Sequence, residues 1–255
     1  MTIGVSLKTY FTHSQAGDWF GRVAERAAVH PALLTRDVRL FVAPTYLQIL
    51  PALDAFSGTP VVVGAQNVSE YESGATTGEV TAEELAEIGV GVVEVGHAER
   101  RRLFFESDGT TAAKAAAALR AGVTPVICVG EAERSGIADA AHSAVEQLAA
   151  SLVSAPAGPI IVAYEPVWAI GAAQPAPKRH IVAVTRFLRS SLDKDSVRRG
   201  SAVIYGGSAG PGMLTRLGSD ADGLFLGRHA HDADKLFAVL DEADQVNKQV
   251  RGVLT

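Results

Sequence analysis

A chain of 255 residues that is 47% apolar and 20% charged has the make-up of an ordinary folded protein, which excludes an intrinsically disordered one. Its net charge of −5, with no lysine- or arginine-rich patch, argues against nucleic acid, although a local site can still be positive enough to hold a small anion. A single cysteine excludes an internal disulfide framework and suits a reducing compartment. The N-terminal MTIGVSLKTYF has neither the basic start nor the long apolar core of a signal peptide, and no uncharged apolar run reaches about 18 residues. A cytoplasmic protein without a membrane span is expected.

Short β-rich runs then follow one another: TIGVSL at 2–7, LFVAP at 40–44, VVVGAQ at 61–66, GVVEVG at 91–96, TPVICVG at 124–130, IIVAYE at 160–165, AVIYGG at 202–207 and GLFLG at 223–227. They are too short and too apolar for exposed amphipathic helices and read as parallel strands buried on both faces. Between them lie helical patterns such as AGDWFGRVAERAAV, GTTAAKAAAALRAG, DAAHSAVEQLAASLV and PKRHIVAVTRFLRSSL. Asp108 and Gly109 open the second of these, and Gly122 is placed to close it. Strand and helix alternating eight times predict a closed (β/α)8 barrel, with a doubly wound sheet as the rival. No Pro/Ser-rich linker or charge run divides the chain, so one domain over 1–255 is expected. Cys128, inside an apolar run, reads as a buried structural thiol.

In such barrels the chemistry lies where strands end. The residues at those ends are Lys8; Gln66 and Asn67; His97 and Glu99; Glu131; Glu165; Gly206, Gly207 and Ser208; and Gly227 with Arg228. Glu165 stands out, because a carboxylate at the end of a buried strand must be paired, solvated or useful. Each residue also has a plain structural reading: a lone histidine is commonly a satisfied core residue, a lone lysine is solvated, and a glycine pair makes a tight turn. Their joint placement at strand ends favours a site. The histidines show no ligand spacing with carboxylates, so no metal is expected. A Schiff-base aldolase would have only Lys8 to use and would leave Glu165 and His97 idle.

The runs AYEPVWAIG, VGHAERR, GAQNVSEYESGATTGE, ICVGE and YGGS, in this order and across essentially the whole chain, resemble the triosephosphate isomerase family. The resemblance implies a cofactor-independent isomerase of a phosphorylated three- or four-carbon sugar. Glu165 would be the general base that takes a proton from a carbon beside a carbonyl, and His97 the neutral electrophile. Lys8 would be the fixed positive charge near the developing oxyanion, with Glu99 setting the local charge beside it. Pro166, Val167 and Trp168 match the first hinge of a lid that continues through Ala169, Ile170, Gly171, Ala172 and Ala173 to Gln174, Pro175 and Ala176. Tyr205 and Ser208 match the residues that hold this lid closed. Phosphate would sit on backbone N–H groups of Gly171, Ser208, Gly227 and Arg228. The loop SEYESGATTGE at 69–79 resembles the one that makes the family's homodimer, with Thr77 near the partner's site and Glu79 pairing with Arg100 of the other copy.

The chain departs from the family pattern at the rim of the site. Ser6 stands where the family has asparagine, Ala98 where it has serine, and Arg228, His229 and His231 fall in a turn that is normally small and apolar. Ser6 and Ala98 remove volume near the reacting carbons, and His231 is expected to make the wall against the base more polar. GVSLK and the GR turn also resemble the L-erythrulose-1-phosphate isomerases of tetritol catabolism. A substrate with one more hydroxymethyl group on the carbon that loses its proton is therefore expected. The triose substrate is the alternative, and a sugar-phosphate-binding barrel without turnover a weaker one.

Overall fold

Valine- and isoleucine-rich runs of four to six residues bury both faces at once, which only an interior parallel strand allows. The computed structural model describes residues 1–253, so residues 254 and 255 of the expected unit lie outside the described residues. Its strands are β1 (Thr2–Ser6), β2 (Arg39–Ala43), β3 (Val62–Ala65), β4 (Val92–Val95), β5 (Thr124–Val129), β6 (Ile161–Tyr164), β7 (Ala202–Tyr205) and β8 (Gly223–Leu226). They pair in sequence order, all parallel, and β1 pairs with both β2 and β8. The register Thr2↔Gly223 to Val5↔Leu226 closes the ring and excludes the open doubly wound sheet. All eight expected strands are present, with ends within two residues of those expected; β2 alone begins a residue early, at Arg39.

The helices are α1 (His13–Ala27), α2 (Pro31–Leu34), α3 (Ile49–Ala55), α4 (Ala82–Glu87), α5 (Ala98–Leu103), α6 (Asp108–Arg120), α7 (Ile137–Ser151), α8 (Lys178–Asp193), α9 (Met213–Leu217) and α10 (Ala233–Val253). Helix α1 begins three residues before the expected Ala16, because Thr12 and Gln15 form a reciprocal capping box. Helix α6 is capped by the Ser107 hydroxyl, with Asp108 in its first turn, and Gly122 follows its end at φ +78° as expected.

Two apolar layers result. The larger lies between barrel and helices, around residues such as Trp19, Leu40, Ile127, Tyr164 and Leu240. The smaller fills the barrel itself: Phe41, Val92, Val126, Cys128, Ala163, Ile204 and Phe225. Gly4 makes this filling possible, since a Cβ there would lie 2.1 Å from the Phe41 ring and 2.8 Å from that of Phe225. Cys128 is buried within this layer, as its apolar run suggested. No helix among the described residues is long and apolar enough to cross a membrane.

Candidate active site

The site is built on the ends of β1, β4, β6, β7 and β8, all on the same rim because the strands are parallel. His97 follows β4 and is the N-cap of α5; its Nδ1 accepts the Glu99 backbone N–H at 3.1 Å. A ring that accepts at Nδ1 carries its proton, when neutral, on Nε2. That Nε2 faces the cavity, 3.4 Å from Glu165 Oε2 and 3.5 Å from Lys8 Nζ.

Glu165 follows β6 and is only 6% exposed, with its backbone N–H donating to the Val129 carbonyl at 2.8 Å. Its Oε2 makes no hydrogen bond among the described residues, leaving an acceptor open toward the cavity. Gly206, after β7, leaves room for this carboxylate: a Cβ there would stand 2.6 Å from Glu165 Cγ and Oε1. Behind it, burial and the nearby Glu165 and Glu94 carboxyls push the Cys128 thiol well above its ordinary range.

Lys8 takes a left-handed backbone, φ +49°, unusual for a side-chain-bearing residue. Gln66 holds it there, its Nε2 donating at 3.0 Å to the carbonyls of both Lys8 and Ala43. The Lys8 ammonium donates to Glu99 Oε1 at 2.6 Å. Burial opposes charge on both partners, yet the hydrogen bond and mutual attraction win: Lys8 is raised and Glu99 lowered from their usual ranges.

Over these groups lies the segment 166–176. At its start Trp168 Nε1 donates to Glu131 Oε1 at 2.8 Å, and the same buried carboxylate binds the Tyr164 hydroxyl and His180 Nε2. Glu131, read from the sequence only as a strand-end residue, is thus the anchor beneath the tryptophan. At the other end the Ala176 N–H donates to the Tyr205 hydroxyl at 3.1 Å. The Ser208 hydroxyl reaches the Ala169 and Ala172 carbonyls at 2.8 and 2.9 Å. The segment is therefore tied down at both ends, and Gly171 at its tip adopts φ +69°.

A cavity of about 510 Å³ opens beneath it, bringing together Ser6, Lys8, His97, Glu99, Glu165, Gly171, Ser208, Gly227 and Arg228. Val167, Ile170 and Ala172 close it from above, while Pro166, Trp168, Ala169 and Ala173 do not line it. One expectation is corrected. His231 does not line the cavity; it packs on Phe11 and Tyr10, with ring centroids 4.6 and 5.3 Å away. The turn 228–231 carries it away from the cavity, and the wall there is formed by Phe225 and Leu226. Sequence reading also missed Tyr10, Arg102 and Lys235 on the cavity wall, and Glu94 in β4 below it, while His229 lines the cavity with Arg228. Glu94 did carry a signal, a lone carboxylate within an apolar strand. Among the described residues, no group of three or more His, Cys, Asp or Glu is placed to hold a metal ion.

A closed (β/α)8 barrel that carries a glutamate, a histidine and a lysine on one rim beneath a latched loop has the parts of an isomerase that works by proton transfer. Comparison with known proteins leads to the same class: the sequence pattern of the triosephosphate isomerase family matches residues 1–243, and the chain belongs to that family. It is an isomerase. An L-erythrulose-1-phosphate isomerase of Pectobacterium atrosepticum is 46% identical over 98% of both chains. A triosephosphate isomerase of Azoarcus sp. is 40% identical, over 83% of this chain and 91% of that protein. The crystal structure of triosephosphate isomerase from Bartonella henselae superposes with a TM-score of 0.77 at 27% identity, covering 94% of this chain and 98% of that one.

Proposed function

We propose that the enzyme interconverts L-erythrulose 1-phosphate and D-erythrulose 4-phosphate by a cofactor-independent 1,2 proton shift. Glu165 removes the proton from the carbon that bears the terminal hydroxymethyl group and returns it to the neighbouring carbon. Between the two steps the substrate is an enediolate, whose oxygens take hydrogen bonds from His97 Nε2 and the charge of Lys8. Glu99 fixes the lysine. The N–H groups of Gly171, Ser208, Gly227 and Arg228 grip the phosphate, and the segment 166–176 acts as the lid that excludes water.

The observation that carries this reading is the meeting of Glu165, His97 and Lys8 around one cavity, with the open Glu165 oxygen 3.4 Å from the imidazole nitrogen. The choice of a four-carbon substrate is supported by Ser6 on the wall beside Lys8 and by the similarity to the Pectobacterium enzyme. The triose phosphate is the second reading, supported by the similarity to the Azoarcus enzyme. Incubation with L-erythrulose 1-phosphate in D2O tests the proton shift. Deuterium should appear at the receiving carbon with wild type and not with Glu165→Gln; equal incorporation by both would remove Glu165 as the base.

We also propose a homodimer built on the loop 69–79. Its base is closed by the Ser69 N–H to Val80 carbonyl hydrogen bond, while residues 71–75 and 77–79 are exposed. Within the single chain Arg100 already binds Glu106, so a Glu79 from the other copy would join an existing pair.

A further inference from the structure

Strand β4 reads Val92-Val93-Glu94-Val95, and its one polar residue is 3% exposed. Side chains alternate along a strand, so Glu94 shares the interior face with Val92, which belongs to the apolar filling of the barrel. The Glu94 carboxyl lies beside the Ser6 hydroxyl inside the barrel, and its Oε1 has no hydrogen-bond partner among the described residues. A carboxyl group half-satisfied in an apolar interior is costly, and a valine or leucine would fit the strand's pattern at no such cost. Its position has a consequence, because Ser6 is the cavity-wall residue next to Lys8.

The titratable and charged groups facing Glu94 are Lys8 beyond β1, Cys128 on β5, Glu165 beyond β6 and Glu99 in α5; β3 has none. Burial is the main influence and the two neighbouring carboxylates add to it, so the Glu94 carboxyl is pushed up to about 8 despite Ser6 and Lys8. Near neutral pH the group is therefore a carboxylic acid, a donor as well as an acceptor.

We propose that Glu94 is a positioning residue for substrate choice: as a neutral acid it donates to Ser6 Oγ and leaves the Ser6 hydroxyl hydrogen free to meet a hydroxyl on the hydroxymethyl branch of the substrate. This rests on the four-carbon reading given above. Ionisation of Glu94 removes its proton, turns the Ser6 hydroxyl inward as a donor and adds a negative charge beside Glu165. Turnover of the four-carbon substrate then falls.

The test compares wild type, Glu94→Gln and Glu94→Leu on L-erythrulose 1-phosphate and dihydroxyacetone phosphate. Leucine removes the hydrogen bond while suiting the apolar interior, and glutamine restores a neutral donor. Glu94→Leu is expected to lose about tenfold in kcat/KM on the tetrulose phosphate, the worth of one neutral hydrogen bond, with the triose phosphate changed much less. Glu94→Gln should recover most of that loss. Wild type should lose tetrulose turnover as pH rises through about 8, and Glu94→Gln should lack that limb. Thermal unfolding of both variants checks that they are folded. An unchanged substrate ratio in a folded Glu94→Leu, or an alkaline limb that persists in Glu94→Gln, overturns the inference while leaving the substrate assignment intact. A wild type that does not turn over the tetrulose phosphate removes that assignment, and this role for Glu94 with it.

Discussion

Two carboxyl groups share the upper interior of the barrel, and they differ in what surrounds them. Glu165 has an open oxygen facing the His97 imidazole, while Glu94 is sealed against Ser6. Glu165→Gln keeps the shape and removes the base, so kcat is expected to fall by about 10²–10⁴-fold with phosphate-bearing ligands still bound. Steady-state kinetics beside a binding titration checks this; near wild-type kcat would reject the role. Ser6→Asn should act on substrate choice, since a bulkier amide beside Lys8 costs about 1–3 kcal/mol at a filled site. That cost should appear in kcat/KM for the tetrulose phosphate and spare the triose phosphate, with Ala98→Ser pushing the same way more weakly. Glu94 also gives a stability prediction. Its folded-state pKa lies above its unfolded value, so the folded chain holds the extra proton and stability declines as pH rises from about 4.5 to about 8, then levels. Glu94→Leu should therefore unfold at a higher temperature than wild type, by a margin that widens over that window. A margin independent of pH would contradict it. At this scale the strand-end residues were legible because polar side chains after apolar runs are conspicuous. Glu94 stands out as a lone carboxylate in an apolar strand, yet its role was not legible because only the closed barrel shows what it faces, and His231 was misplaced because a turn's direction is not written in its residues.

Among the elements, the segment 166–176 is the proposed lid, and its latches are few. The Tyr205 hydroxyl holds the Ala176 N–H, the Ser208 hydroxyl holds two lid carbonyls, and Glu131 holds Trp168. The hydroxyl latches are worth about 0.5–1.5 kcal/mol each and the bond to the Glu131 carboxylate about 1.5–3 kcal/mol, so none of them holds the segment alone. Tyr205→Phe should lower the closed population and reduce kcat/KM by about 3–10-fold with little change in Tm. Stopped-flow kinetics on the lid tryptophan, Trp168, would register faster opening; unchanged opening would place the latch elsewhere. Element α5 makes the related point that a helix start can set a tautomer. His97 caps it through Nδ1, which leaves Nε2–H for the cavity. The eight strands were legible as short apolar runs buried on both faces, and four of the longer helices because each follows one period over enough residues. Short pieces such as α2, α3, α4 and α9, of four to seven residues, span too few turns to show a helical period and are set by the barrel they pack against.

For the whole molecule, the proposed dimer follows from what one chain leaves uncovered. Tyr71 in the loop 69–79 is 55% exposed, and Leu47 after β2 and Phe105 after β4 are 85% and 87% exposed. These segments flank the loop in chain order around the barrel, and large apolar side chains in such places favour a second copy. Sedimentation at micromolar concentration should give a dimer, and deletion of residues 73–77 should give monomers with reduced turnover; an active wild-type monomer would refute the assembly. The central claim concerns the substrate, and it is tested most directly by measuring wild-type kcat/KM on L-erythrulose 1-phosphate and on dihydroxyacetone phosphate under identical conditions. A pocket that separates two substrates by one small group discriminates by about 1–3 kcal/mol, so the preference should be about 10–200-fold. A higher value for the tetrulose phosphate is the predicted result; turnover of the triose phosphate alone would contradict it.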